Sequence, residues 1–108
     1  MEQIFYRIVA HDPPVREDFH SQQALGRRPR HLTERALRLW DGLSVYETEE
    51  QASQLAKDSP QLGRYIAELR VPEGSSVRWE LNTGRHGHCT LWAEPEILLG
   101  SIIRIISA

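Results

Sequence analysis

The chain has 108 residues, of which 40% are apolar and 26% charged, and its formal net charge is −2 at neutral pH. This length and balance predict one folded domain over residues 1–108 and exclude a disordered or fibrous chain. The small net charge gives no reason to expect a nucleic acid or an anionic membrane as a partner.

Three further features indicate the cellular compartment. The start, MEQIFYRIVAHDPP, has an acidic residue and a short apolar run, whereas a secretory signal has a basic flank and a longer apolar core. No apolar run reaches the roughly 20 residues of a membrane span, so we expect no membrane partner. Cys89 is the single cysteine, so an internal disulfide is impossible. We therefore expect a cytoplasmic protein.

The first part of the chain reads as a strand followed by helices. Residues 3–9 are rich in aromatic and β-branched residues and end before two prolines, which predicts a strand. Residues 16–25 predict a short helix closed by a glycine, and residues 27–31 predict a loop because they lack apolar periodicity. Thr33 can cap a helix that ends at Gly42.

A short strand and a capped helix come next. Residues 43–46 alternate between apolar and other side chains, as a strand with one buried face does. Thr48 opens a helix of the capping-box type, in which apolar residues recur on one face. Pro60 and Gly63 mark its end.

The second half of the chain is dominated by strands. Residues 64–71 alternate most cleanly, and residues 77–81 and 88–92 predict two more short strands. Residues 94–99 have no decisive pattern, whereas residues 101–106 predict a final strand apolar enough to lie inside a sheet. The order predicts an α+β fold: a mostly antiparallel sheet of about five to six short strands, with two to three helices inserted between the early strands.

Arginines crowd one segment, which we call the basic segment. It contains Arg27, Arg28, Arg30, His31, Arg35 and Arg38. A solvated helix face with its preceding loop explains this pattern, and so does a surface that contacts phosphate or an acidic protein. A non-enzymatic protein–protein interaction or regulatory module would use this segment. A nucleic-acid reader is disfavoured because the chain lacks a basic, aromatic-bearing strand motif.

Several chemical motifs are absent. The sequence has no Gly-rich phosphate loop, paired CxxC, HExxH or nucleophile elbow. The densest group of potential metal ligands is His86, His88 and Cys89, and a zinc site would need further ligands that no spacing supplies. We therefore expect no metal. A hairpin tip with histidines facing solvent is the alternative for this group.

Two carboxylates, Glu94 and Glu96, are separated by one residue. In an extended stretch they would point to the same face about 7 Å apart. Mutual repulsion there would raise one pKa and produce an acid–base pair. A solvated strand edge, or the first turn of a helix, explains the same spacing because acidic residues favour the helix dipole.

The segment Glu-Pro-Glu-Ile-Leu-Leu-Gly-Ser-Ile-Ile-Arg-Ile, residues 94–105, resembles the end of the ADP-ribosyltransferase domain. In that family a Glu-x-Glu is followed by apolar residues, a small-residue turn and a last strand. The family also places an arginine on its first strand and a hydroxyl-bearing strand in the middle of the domain. Here Arg7, Ser44 and Glu96 occur in that order.

The resemblance implies a domain that binds NAD as its substrate and transfers ADP-ribose to an unknown acceptor. Arg7 would hold an NAD phosphate, Tyr46 would stack on nicotinamide, and Ser44 would brace the pocket around it. Glu96 would grip a ribose hydroxyl, where a fixed carboxylate stabilises the ribosyl cation, and Glu94 would orient or deprotonate the acceptor.

Each of these residues also has an ordinary structural explanation. Arg7 could be a charge at a strand edge, Ser44 a hydroxyl bonded to the backbone, and Tyr46 a core aromatic residue. The functional hypothesis therefore requires that Arg7, Ser44, Tyr46 and Glu96 line one concave pocket.

Overall fold

The fold is built on one antiparallel sheet. The structure, a computed structural model, describes residues 2–21, 23, 25–29, 31–84 and 87–108. In that part of the chain the sheet has six strands: β1 (Gln3–Val9), β2 (Leu43–Tyr46), β3 (Tyr65–Val71), β4 (Arg78–Glu80), β5 (His88–Trp92) and β6 (Ile102–Ser107). The strand order is β4-β5-β2-β1-β3-β6, with antiparallel neighbours throughout. The predicted α+β fold with a mostly antiparallel sheet is confirmed.

The described helices lie between these strands. They are α1 (Glu34–Trp40), α2 (Glu49–Asp58) and α3 (Pro95–Leu99), with 3₁₀ turns at Arg16–Phe19 and Pro60–Leu62. The α2 capping box forms as predicted, because Thr48 Oγ1 accepts from the Gln51 amide and Gln51 Oε1 accepts from the Thr48 amide. None of the helices in the described ranges is long and apolar enough to cross a membrane.

The helix predicted over residues 16–25 is shorter than expected. Only Arg16–Phe19 is helical, and His20 is already extended. The reason is that the Asp18 carboxylate accepts hydrogen bonds from the main-chain amides of Ala10 and Val15, both at 2.9 Å. These bonds hold the segment as a compact loop against the end of β1 rather than as a regular helix. Residues 22 and 24 lie outside the described residues.

The main core lies on one face of the sheet. Alternate residues of the strands are buried there, and the 3₁₀ turn at Arg16–Phe19 and α3 cover them with Phe19 and Leu98. The opposite face is covered by α2, which packs on β1, β2 and β3 and buries Ala52 and Ala56. Two layers of helix or turn therefore enclose the middle of the sheet.

The final strand lies at the edge of the sheet, not inside it as predicted. Within the described residues, β6 pairs with β3 alone, and Ile103 remains exposed. Ile102 and Ile105 pack against the core, and Arg104 forms ion pairs with Glu49 and Glu68. Apolar residues of β6 thus pack against the core on one face of the sheet. The composition of the strand alone does not distinguish such an edge strand from an interior one.

The sheet is weakly joined between β1 and β2. β1 pairs with β3 along its whole length, from Gln3 opposite Val71 to Val9 opposite Tyr65. Its register with β2, by contrast, consists of the pair Tyr6–Tyr46 among the described residues. The two strands therefore leave a gap beyond this pair, and the candidate site occupies it.

Candidate functional site

A cavity of about 360 Å³ opens beside this gap, and we call it the Arg7 cleft. Arg7 of β1 lines it together with Ser44 and Tyr46 of β2. The other walls come from loops, including Asp18 after β1 and Gln61 after α2. Three of the residues predicted from the sequence are thus brought together in one concave pocket.

Arg7 spans the gap through its guanidinium group. Its Nε donates to the main-chain oxygen of Asp18 at 2.8 Å, and its Nη1 donates to the main-chain oxygen of Ser44 at 2.7 Å. Both acceptors are neutral carbonyl groups. Among the described residues no carboxylate forms an ion pair with Arg7, since the Asp18 carboxylate is turned toward the amides of Ala10 and Val15 and toward His11.

Burial lowers the pKa of Arg7 to about 10, and the nearby charge of Asp18 opposes this shift. The side chain therefore remains a cation at neutral pH. A partly buried cation whose direct hydrogen-bond partners are neutral favours an anionic ligand, because a phosphate or carboxylate oxygen would supply the missing negative charge.

Ser44 is held from the other side by His88 of β5. Ser44 Oγ lies 2.9 Å from His88 Nε2, and His88 Nδ1 lies 2.9 Å from Thr83 Oγ1. Thr90 Oγ1 in turn donates to Thr83 Oγ1 at 2.8 Å. The β2–β5 register explains this cluster, since Ser44 lies opposite Thr90 and Tyr46 opposite His88, which places all four side chains on one face.

No motif in the sequence predicts this cluster. The residues around His88 predict either a metal ligand beside His86 and Cys89 or a solvent-facing histidine at a hairpin tip, and no pattern gives Thr83 a place in a site. Residues 88 and 90 alternate to the same strand face, which is a weak local signal. Their partner Ser44 is 44 residues from His88 in the chain, and no local pattern predicts that pairing.

Tyr46 forms a wall between two cavities. It lines the Arg7 cleft and also a larger cavity of about 790 Å³ between α2 and β5, which His88 and Gln54 line as well. Its ring meets the His88 ring edge to face, with centroids 5.5 Å apart. Burial raises the pKa of Tyr46, and the charge of Arg7 partly offsets that increase. The phenol is therefore neutral at physiological pH.

The two predicted glutamates lie outside the Arg7 cleft, so the requirement that Glu96 line one pocket with Arg7, Ser44 and Tyr46 is not met. Glu96 is in the first turn of α3, where it is exposed and forms an ion pair with Arg16. Glu94 precedes the helix and lines a separate cavity of about 520 Å³, which shares His20, Ser21 and Leu43 with the cleft. Of the alternatives for Glu-x-Glu, the helical first turn is therefore the one observed for Glu96, because a proline occupies the first helical position.

Comparisons with known proteins were made for the whole chain. No family model, curated protein or solved structure matches it. These comparisons therefore indicate neither a fold nor an activity for the chain, and its function is inferred from the residues of the cleft.

The histidine and cysteine cluster has no metal-site geometry in the described part of the chain. Within the described ranges no three His, Cys, Asp or Glu side chains are grouped to hold a metal ion, and His86 lies outside those ranges. Cys89 is fully buried in the core, and burial raises its pKa, which keeps the thiol protonated. Burial lowers the pKa of His88, so its imidazole is neutral near pH 7.

The basic segment is divided among several contacts. Arg35 and Arg38 of α1 both form ion pairs with Glu80, at 3.1 and 3.0 Å, and Arg38 also lies over the ring of Trp92. Arg27 lines the Arg7 cleft, and Arg30 lies outside the described residues. These contacts favour a structural role for α1, and the interaction-module alternative stays a prediction.

Proposed function

We propose that the Arg7 cleft binds NAD and that the chain is an ADP-ribosyltransferase-like domain that transfers ADP-ribose to an acceptor. One observation supports this function best: Arg7, Ser44 and Tyr46 line one cavity although 37 residues separate Arg7 from Ser44. These are the three residues that the resemblance implies for phosphate and nicotinamide. Ser44 and Tyr46 are two positions apart on β2, so the convergence that supports the proposal is that of Arg7 on β1 with these two residues.

Arg7 is the phosphate ligand in this proposal. Its guanidinium is cationic and is bonded to two carbonyl oxygens, so an NAD diphosphate would be its ionic partner. The partial burial of the cleft strengthens this attraction relative to one at an open surface. Arg27 lines the same cleft and adds positive charge.

Tyr46 and Ser44 contact the rest of the nucleotide. The Tyr46 ring is half-buried at the junction of two cavities and offers an aromatic edge or face to a heterocycle. Ser44 is exposed and lines the cleft, and its main-chain oxygen fixes the Arg7 guanidinium while its hydroxyl is bonded to His88.

Transfer also needs a carboxylate beside the ribose to stabilise its developing positive charge. Glu94 lines the cavity that adjoins the cleft through His20, Ser21 and Leu43, whereas Glu96 is engaged by Arg16. NAD binding should accordingly depend on Arg7, and cleavage of the nicotinamide bond should depend on Glu94 or Glu96.

Calorimetric titration with NAD tests the binding step. We expect heat of binding for the wild type and a loss of about ten- to a hundredfold in affinity for Arg7→Gln, the range that a charge-assisted hydrogen bond supplies. Arg70→Gln is the matched control, since Arg70 is an exposed strand arginine paired with Glu2. Absence of an NAD interaction at millimolar concentration in the folded wild type would refute the proposal.

Nicotinamide release, measured by chromatography, tests the transfer step. With water as the acceptor of the ADP-ribosyl group, the wild type should release nicotinamide and ADP-ribose from NAD, and Glu94→Gln or Glu96→Gln should abolish release without abolishing NAD binding. Asp58→Asn on the exposed end of α2 is the control for removing a surface carboxylate. Binding without release, both in water and with cell extract added as a source of acceptors, would leave an NAD-binding domain and contradict the transferase activity.

A further inference from the structure

A serine and a histidine lie in hydrogen-bonding contact on the sheet face that α2 covers. Ser44 of β2 and His88 of β5 share this face because Ser44 lies opposite Thr90, two positions from His88. Ser44 Oγ lies 2.9 Å from His88 Nε2. Ser44 is exposed and His88 is partly buried. This is the arrangement of a hydroxyl nucleophile beside a general base.

A third side chain orients the imidazole. His88 Nδ1 lies 2.9 Å from Thr83 Oγ1, which lies 2.8 Å from Thr90 Oγ1. A hydroxyl oxygen has two acceptor sites, so Thr83 accepts from His88 Nδ1 whichever way the two threonine hydroxyls are directed. A neutral imidazole that donates through Nδ1 presents the lone pair of Nε2 to Ser44, and Nε2 then accepts the serine proton.

Packing holds the His88 ring in this position. The Tyr46 ring meets it edge to face, with centroids 5.5 Å apart. Gly84 lies against the ring, where a Cβ atom would approach its Nδ1 to 2.9 Å. The imidazole is thus fixed by packing as well as by its two hydrogen bonds.

The main-chain N–H of Ser44 is directed toward the gap between β1 and β2. The Glu47 amide donates to Gly87 on the β5 side, and the direction alternates along β2, so the main chain of Ser44 faces β1. Its oxygen accordingly accepts from Arg7. Pairing with β1 consists of Tyr6–Tyr46 among the described residues. The N–H of Ser44 therefore borders the gap, where it would donate to a substrate oxygen that gains negative charge.

The cavity of about 790 Å³ between α2 and β5 adjoins the serine–histidine pair. His88, Tyr46 and Leu55 line it, and its volume is in the range of small-molecule sites. Glu50 and Asp58 of α2 line it as well, and none of its described lining residues is an arginine or lysine. The two carboxylates disfavour an anionic substrate.

We propose that Ser44 and His88 are a nucleophile and its general base, and that they cleave an uncharged carboxylic ester bound in this cavity. Thr83 is the positioning residue that orients His88. This activity does not involve NAD, so it goes beyond the proposed transferase function.

The reaction has two steps. Ser44 Oγ forms a bond to the ester carbonyl carbon while its proton passes to His88 Nε2, and the alcohol leaves with that proton as its bond to the carbon breaks. Water then attacks the acyl-serine and gives a proton to His88. That proton returns to Ser44 Oγ as the carboxylic acid leaves, so water is the only co-reactant.

Labelling with a fluorophosphonate tests the nucleophile. Ser44 Oγ would form a bond to phosphorus as fluoride leaves, and His88 would take the serine proton. We expect mass spectrometry to locate the label on Ser44, and we expect the label to be lost in Ser44→Ala. Ser107→Ala, at the exposed end of β6, is the control for removing a hydroxyl. A folded wild type that leaves Ser44 unlabelled at millimolar reagent would overturn the proposal.

Hydrolysis of 4-nitrophenyl acetate tests the base and its positioning residue. His88→Gln should lower kcat/KM about a hundredfold, since general-base catalysis contributes at least that much. Thr83→Val should lower it about two- to tenfold, and Thr83→Ser should restore it because the hydroxyl is kept. Circular dichroism verifies that each variant is folded. Wild-type activity in folded His88→Gln would overturn the role of His88, and wild-type activity in folded Thr83→Val that of Thr83.

The pH dependence provides a further readout. kcat/KM of the wild type should rise as the pH increases through the folded pKa of His88, which burial places below 6.5, because only the neutral imidazole accepts a proton. Tyr46 of β2 and Glu50 and Asp58 of α2 are the other described titratable groups that line the cavity with His88. The rise should be absent in His88→Gln, and its persistence there would assign the base to another group.

The tautomer can be read directly by NMR. Long-range proton–nitrogen spectra at neutral pH, with His88 assigned by comparison with His88→Gln, should show a protonated Nδ1 and an unprotonated Nε2. The reverse pattern would overturn the inference.

The outcomes separate this inference from the proposed function. If Ser44 is labelled but NAD does not bind, the ester-cleaving pair stands and the NAD function fails. If NAD binds but Ser44 is labelled no faster than Ser107, the nucleophile is refuted and the NAD function stands.

Discussion

The Nη1 atom of Arg7 lies 2.7 Å from the main-chain oxygen of Ser44, and this bond joins β1 to β2 where their strand pairing has ended. A side-chain hydrogen bond here joins β1 and β2 in place of the main-chain hydrogen bonds of a regular strand pair. The same guanidinium reaches the main-chain oxygen of Asp18. It therefore combines a structural role with its position in the cleft.

The first prediction concerns the structural part of this role. Arg7→Gln should lower the free energy of unfolding by about 1–3 kcal/mol, because two carbonyl oxygens lose a charged donor. Arg70→Gln should lower it by less than about 1 kcal/mol, since that arginine forms an exposed ion pair. Urea denaturation measures both. Equal stability of Arg7→Gln and the wild type would contradict the prediction.

The second prediction concerns Asp18. Its carboxylate accepts from the amides of Ala10 and Val15 and contacts His11 Nδ1 at 3.0 Å. Asp18→Asn replaces one accepting oxygen by a donor, so an amide group loses its partner, and we expect a loss of about 1–3 kcal/mol in stability. Asp58→Asn on α2 should change stability by less than about 0.5 kcal/mol. Thermal and urea unfolding compare the two variants.

The third prediction is a pH dependence of stability that arises from His88. Burial lowers its folded pKa below the usual value of 6.5, so the unfolded chain binds more protons than the folded chain between the two values. The contribution of His88 to stability is thus complete above pH 6.5 and is lost as the pH falls through the folded pKa.

Urea denaturation at pH values on both sides of 6.5 measures this dependence. The described groups that line the cavity with His88 include Tyr46, Glu50 and Asp58. His88→Gln should flatten the dependence relative to the wild type. An unchanged slope in His88→Gln would assign the dependence to another group.

The fourth prediction concerns Gly42, which lies at the turn between α1 and β2. A Cβ atom there would overlap the methyl group of Thr90 and come within 2.9 Å of Trp92 Nε1. Gly42→Ala should therefore lower the free energy of unfolding by about 1–3 kcal/mol through overpacking. It should also disturb the side-chain hydrogen bonds that link Thr90 through Thr83 and His88 to Ser44. At Gly100 the nearest atoms lie at ordinary contact distance, 3.6 Å, so Gly100→Ala should be nearly neutral. Equal unfolding midpoints for the two variants would contradict this reading of the packing.

Local signals in the sequence predicted most of the elements. The alternation of apolar residues in β3 and the capping box at Thr48 act over a few residues, and both structures form where they were predicted. The prediction that β6 lies inside the sheet was wrong, because an apolar strand has the same composition whether it pairs with one neighbouring strand or with two.

The order of Arg7, Ser44 and Glu96 along the chain suggested a site, and only the tertiary structure separates its members. Arg7 and Ser44 adjoin because β1 and β2 are neighbours whose pairing ends early. Glu96 lies apart from them in the first turn of α3, bound to Arg16.

By itself, then, the amino-acid sequence determined the α+β pattern, the positions of the strands, and three candidate residues of the cleft. The tertiary structure alone decided that His88 and Thr83 support Ser44 and that the glutamates lie outside the cleft. The physical reason is that periodicity and capping depend on neighbours in the chain. The contact of Ser44 with His88 depends instead on the register of two strands whose residues are 44 positions apart.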